Sequence, residues 1–280
     1  MPTRILLHAC CGPCSLEPVR LLREEDFDPV IYYANSNIHP ADEYAHRLET
    51  LREWAEGEEV PVIEGTYDAD AWEATAGRVG DAAFERFGMV HGPDPHAAED
   101  ETAAHAPSIP ADSEAAAARE ARCRACYRLR FEEAARYARE HGYDTLGTTL
   151  SVSPYQYTQV IREELERAAA AEGLTAHFED YRPFYDEATR RSREGGMYRQ
   201  NYCGCRFSDA EAEAEREERK AARRAAREAE ATDHAEERAA AEAERARHRA
   251  EKQAYADKQA KKRAILKAMR EKRDGGTDDQ

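Results

Sequence analysis

Residues 3–15 read TRILLHACCGPCS. The apolar run Ile5-Leu6-Leu7 suits a short buried strand, and the Gly-Pro turn after it gathers three cysteines into five positions ahead of a helix expected over Leu16–Glu25. A second strand is predicted at about Pro29–Tyr33, followed by the polar loop NSNIHP. Ala41–Glu56 carries Tyr44, Leu48, Leu51 and Trp54 at helical spacing, with Trp54 expected in the core, and Val60–Ile63 reads as a third strand. A helix from near Ala115 to Gly142, a strand at DTLGTTL, a loop at SVSP, a helix over Gln156–Ala171, a strand around Thr175–Phe178 and a short helix continue the pattern. This alternation predicts an α/β fold, a Rossmann-like parallel sheet with helices on both faces. Such sheets bind ligands at the carboxyl ends of their strands, so ACCGPCS is expected at the lip of a site.

The expected catalytic α/β domain spans residues 1–208. Within it, residues 87–118 contain no Lys or Arg but six acids, four prolines and His91, His96 and His105. That composition reads as a flexible acidic insertion rather than a histidine metal site. Residues 209–280 are rich in Ala, Glu, Arg and Lys, and their large apolar side chains are limited to Tyr255, Ile265, Leu266 and Met269. A long charged tail, helical or disordered, is expected there. The net charge of −16 sits entirely in residues 1–206, because residues 207–280 hold 19 acids and 19 bases. Residues 238–273 nevertheless carry 13 bases against 5 acids, which suits a nucleic-acid backbone and equally a solvated helix face. No apolar run approaches the roughly 18 to 20 residues of a membrane span, and no cleavable leader pattern opens the chain. A cytoplasmic protein without membrane association is expected.

That compartment governs how the seven cysteines are read, since a reducing cytosol favours metal binding or catalysis over structural disulfides. Cys10 and Cys11 are adjacent and can converge in a turn at a helix N-terminus. Cys123 and Cys126 are three apart on a predicted helix and share a face. Together they supply four thiolates, which suits a [4Fe–4S] cluster or a closed zinc site. Cys203-Gly204-Cys205 can hold a strained, easily reduced disulfide, ligate a metal, or be two inert thiols. Cys14 is left over as a possible ligand of a second metal.

LLHACCGPCS, YYANSNIHPADEYAHR, RCRACYRLR, TLGTTLSVSPY and MYRQNYCGCRFS occur in that order over roughly residues 3–208. In this they resemble the cobalamin-independent epoxyqueuosine reductases of the QueH type. The resemblance implies the last step of queuosine synthesis, reductive removal of the epoxide oxygen from epoxyqueuosine at the wobble position of tRNA. It also implies a [4Fe–4S] cluster on Cys10, Cys11, Cys123 and Cys126, an additional iron beside it, a redox-active pair at Cys203 and Cys205, and no cobalamin. Many relatives carry Asp where this chain has Cys14. Candidate substrate-binding residues are His8, Asn35, Asn37, His39, Thr148, Thr149, Ser151, Arg199 and Gln200, and the expected partners are tRNA and an unidentified electron donor. Two other readings compete. A zinc-stapled tRNA-binding protein would use the same thiols without redox chemistry, whereas an ATP-dependent tRNA-modifying enzyme would need an SGGxDS-like loop where HACCGPCS stands.

Overall fold

Apolar side chains alternate between the faces of strands β1 (Thr3–His8) and β2 (Phe27–Tyr33), and each set is covered by different helices. The structure is a computed structural model that describes residues 2–89 and 113–274. Leu6, Val30 and Tyr32 pack with Tyr127, Phe131 and Ala134 of α5 (Glu114–Glu140) and Ile161 and Leu165 of α6 (Thr158–Ala171). Ile5, Leu7, Ile31 and Tyr33 meet Val19 and Leu22 of α1 (Leu16–Glu24) and Leu48 and Leu51 of α2 (Ala41–Gly57) on the other side. Strands with both faces covered need apolar residues at consecutive positions, which is why β1 reads as an unbroken run.

Five parallel strands lie in the order β3 (Val62–Glu64), β2, β1, β4 (Thr145–Thr148) and β5 (Thr175–His177). Leu6 of β1 is in register with Val30 on one side and Leu146 on the other. The chain therefore builds outward from β1 through β2 and β3, then returns to place β4 on the opposite side. Loops leaving β1 and β4 diverge at this switch point and open a crevice at the carboxyl edge.

Several elements differ from the sequence reading. A helical stretch absent from it fills residues 69–87: α3 (Ala69–Trp72), a π-helical turn (Glu73–Gly77) and α4 (Arg78–Phe87). SVSP, expected as a loop, overlaps a short 3₁₀ turn, Leu150–Val152. Trp54 is only partly buried at the rim of the core. It lies about 90° round α2 from the stripe of Tyr44, Leu48, Leu51 and Ala55 that faces the sheet. His91, His96 and His105 lie outside the described residues. Helix α7 (Tyr185–Glu194) precedes the last helix, α8 (Arg206–Asp274). The chain divides into two compact units, residues 1–219 and 220–280. No helix among the described residues is long and apolar enough to cross a membrane.

Helices α5 and α6 are also tied by charge. Glu164, 2% exposed, accepts hydrogen bonds from Arg128 at 2.9 Å and Arg167 at 2.8 Å. Burial alone would raise its carboxyl, but those two arginines outweigh it and hold the group down at about 2. A depressed carboxylate stabilises the fold above its unfolded value and loses that contribution as pH falls through the folded one. Both arginines are partly exposed, so screening reduces the contribution to about 1–2 kcal/mol. Glu164→Gln is expected to lower stability by that amount at pH 7, with the deficit shrinking between about pH 4.5 and pH 2. Urea unfolding at pH 7 and pH 3 checks this.

Candidate metal centre

Ser15 closes the loop after β1: its backbone N–H donates to the Gly12 carbonyl at 2.8 Å and its hydroxyl to the Cys11 carbonyl at 2.9 Å. The tight turn folds the Cys10, Cys11 and Cys14 side chains together, with all three sulfurs within 4.8 Å of one another. Cys10 donates to Cys11 across 3.7 Å, and Gln200 Nε2 donates to the Cys11 sulfur at 2.9 Å. These thiols divide their protons unequally. The hydrogen bonds from Cys10 and Cys14 pull Cys11 well below the usual thiol range, while the same contacts push Cys10 and Cys14 up. A group of three buried or half-buried sulfurs, one already biased toward thiolate, can bind a metal ion.

Helix α5 brings a second group. Arg119, Cys123, Cys126 and Arg130 fall at i, i+4, i+7 and i+11 and so occupy one stripe. Burial pushes Cys123 up to about 11 and Cys126 up to about 12, against the opposing pull of nearby arginines. The third group, Cys203 and Cys205, shares a pocket with these two, lined also by Trp72, Tyr127 and Gln156. Arg130, 2% exposed, connects the groups. Burial opposes its charge, yet the thiols of Cys126, Cys10 and Cys203 all favour it, so one guanidinium lies within electrostatic reach of a cysteine from every group.

The CGC segment is stitched to α2 and to the loop after β2. Arg47 donates to the Cys203 carbonyl at 3.0 Å, the His39 N–H to the Gly204 carbonyl at 2.8 Å, and the Tyr202 hydroxyl to the His39 carbonyl at 2.7 Å. Gly204 has φ of 129°, and a Cβ there would stand 2.9 Å from Ile38 Cγ1 and 3.2 Å from Asn37 Nδ2. Both backbone and space demand glycine. Gly204→Ala is expected to cost about 1–3 kcal/mol. Gly57→Ala, at a helix end with nothing within 4 Å of the added methyl, should change stability little. Urea unfolding of the two variants checks the contrast.

The substrate-binding candidates separate into two kinds. His8 is fully buried, with Nδ1 3.2 Å from Thr148 Oγ1 and Nε2 3.2 Å from the Ala34 carbonyl; burial, then the Arg130 charge, holds it well below the ordinary histidine value. Asn35 donates to the Ala9 carbonyl at 2.9 Å and accepts from Arg130. Ser151 donates to the Glu179 carbonyl, and Arg199 donates to Thr189. These groups are engaged in holding loops. By contrast Asn37 Nδ2 and Oδ1, His39 Nε2, Thr149 Oγ1 and Gln200 Oε1 are buried without a hydrogen-bond partner among the described residues. Buried polar atoms left in this state mark where a ligand or ordered water completes the set.

Four arginines, three of them buried and Arg119 12% exposed, went unnoticed in the sequence. Arg47, Arg119, Arg122 and Arg130 surround the thiols, and Arg122 is held by Glu211 at 2.7 and 2.9 Å with Arg119 at 3.1 Å from the same carboxylate. The stripe spacing R-x₃-C-x₂-C-x₃-R was the available signal for two of them. Soft thiol donors ringed by buried cations fit a thiolate-bound iron centre, whose negative charge the guanidiniums offset.

The family model described as epoxyqueuosine reductase QueH matches residues 5–86 and 100–211. A protein of Acinetobacter baylyi is 31% identical over 210 residues, covering 73% of this chain and 80% of its own length. One from Dehalococcoides mccartyi is 28% identical, covering 75% and 95%, and one from Staphylococcus aureus is 29% identical, covering 73% and 75%. All three carry the name epoxyqueuosine reductase QueH.

Proposed function

Because the chain belongs to the QueH family of epoxyqueuosine reductases, we propose that it reduces epoxyqueuosine to queuosine at the wobble position of tRNA. The observation that carries this reading is the convergence of all three cysteine groups on the neighbourhood of Arg130 at the sheet's carboxyl edge. Cys10, Cys11, Cys123 and Cys126 would hold a [4Fe–4S] cluster, with Cys14 available to a neighbouring iron. When bound, the cluster supplies electrons singly and the adjacent iron acts as a Lewis acid toward the epoxide oxygen.

The reaction breaks both epoxide C–O bonds, forms a carbon–carbon double bond and releases water, consuming two electrons and two protons. Oxidation of the Cys203 and Cys205 thiols to a disulfide yields that number of each, and an external reductant then restores the pair. Asn37, Thr149 and Gln200 carry polar atoms without hydrogen-bond partners, suited to orient the nucleoside, as does His39, whose Nε2 lies 3.9 Å from Glu73 Oε1. His8 and Asn35 keep the loops after β1, β2 and β4 in place around it.

The deciding experiment reconstitutes the protein anaerobically with iron and sulfide, adds epoxyqueuosine-containing tRNA and dithionite, and reads the nucleosides by mass spectrometry. Loss of one oxygen mass from the modified nucleoside is expected. A fully iron-loaded protein that leaves the nucleoside unchanged would refute the assignment, and stoichiometric zinc without iron or acid-labile sulfide would favour a zinc-stapled tRNA-binding scaffold.

A further inference from the structure

The family match stops at residue 211, whereas α8 continues to Asp274. Early in that helix several basic side chains are paired, Arg206 with Glu73 and Asp81, Arg219 with Glu215 and Arg224 with Glu228, while Arg216, Arg223 and Arg227 have no ion-pair or hydrogen-bond partner among the described residues. Arg238, Arg245, Arg249, Lys252 and Arg263 are all exposed and have no ion-pair or hydrogen-bond partner among the described residues.

Their positions are not spread round the helix. At 3.6 residues per turn, Arg238, Arg245, Arg249, Lys252, Arg263 and Lys267 fall within an arc of about 60° that extends about 44 Å along the axis. Residues 238–267 contain ten bases, of which an even spread would put fewer than two in such an arc; six are there. The four acids of the same segment, Glu242, Glu244, Glu251 and Asp257, lie outside it, with Glu242 at the border. The result is a narrow cationic line along an exposed stretch of the helix.

We propose that this line binds the phosphodiester backbone of the RNA substrate, an inference that rests on the tRNA reading above. Charge complementarity supplies the reason. Residues 1–206 carry the whole net charge of −16, so the body that holds the thiols repels a polyanion at long range. A row of arginines and lysines at one- to three-turn intervals contributes affinity by releasing condensed counterions, without base specificity. Arginine predominates in the line, as suits forked contact with phosphate oxygens.

The test compares two full-length quadruple variants with equal charge change on the same helix. One replaces line residues (Arg245→Gln, Arg249→Gln, Lys252→Gln, Arg263→Gln); the other replaces bases outside the arc (Arg247→Gln, Lys258→Gln, Lys261→Gln, Lys262→Gln). Glutamine keeps the helix propensity of the residues it replaces. Binding of unmodified tRNA is measured by fluorescence anisotropy between 50 and 200 mM salt. The line variant is expected to bind at least about 100-fold more weakly at the low-salt end, with a log–log salt slope shallower by about 3, while the control shifts less than 2-fold. Equal losses in both variants, or none in either, would overturn the line while leaving the reductase reading intact. Failure of the parent protein to bind tRNA would overturn both. Line-dependent binding to phosphatidylglycerol vesicles with unchanged tRNA affinity would reassign the surface to lipid and reject the proposal.

Discussion

Cys203→Ser and Cys205→Ser will each retain the brown absorption of a loaded cluster and lose turnover by on the order of 10⁴-fold or more, the scale met when a group that forms a covalent bond is deleted. Serine matches cysteine in shape and accepts similar hydrogen bonds, so the anchors from Arg47, His39 and Ser208 to this segment survive the exchange. What disappears is the capacity to form a sulfur–sulfur bond and surrender two electrons. Anaerobic ultraviolet–visible spectra together with single-turnover assays separate the outcomes. A colourless protein would make the mutated residue a cluster ligand, and a brown protein with near-parental turnover would remove the pair from the chemistry.

Cys126→Ser will instead lose most of its iron and acid-labile sulfide, with turnover falling at least ~100-fold, since disturbing even the partners of metal ligands costs 10 to 100-fold. Cys126 is 6% exposed and packs against Trp72 and Phe207, so solvent cannot supply a replacement ligand easily. The buried guanidiniums of Arg47, Arg122 and Arg130 would then lack the anionic centre they offset, and the variant should also unfold at lower urea concentration. Iron and sulfide analysis after anaerobic reconstitution checks the first expectation, and urea titration the second. Full iron content in Cys126→Ser would exclude this residue from the ligand set.

How far the amino-acid sequence reveals this molecule depends on the residue type. The sheet and its flanking helices were readable because Ile5-Leu6-Leu7 and Val30-Ile31-Tyr32-Tyr33 are apolar without interruption and α2 is amphipathic. Residues 69–87 escaped because ADAWEATAGRVGDAAFERF offers few large apolar side chains, even though Trp72 becomes wholly buried. Cysteines announced themselves by number and spacing. The arginines did not, because an arginine in a charged helix ordinarily faces water; Arg122 is buried by Glu211, 89 residues away, a pairing that local sequence cannot disclose. His8 and Asn35 sat at the right strand ends, but only their hydrogen bonds reveal that they brace neighbouring loops.

The two sulfurs of the CGC segment are not equivalent toward the outside. Cys205 is 6% exposed and enclosed by Trp72 and Phe207, whereas Cys203 is half-buried, with its sulfur 3.9 Å from Gln156 Oε1. Exchange between a disulfide and a dissolved thiol proceeds by collinear approach to one sulfur. In the proposed cycle a regenerating thiol would therefore attack at Cys203, the more open sulfur among the described residues, with the inner sulfur of Cys205 as the leaving group of that exchange.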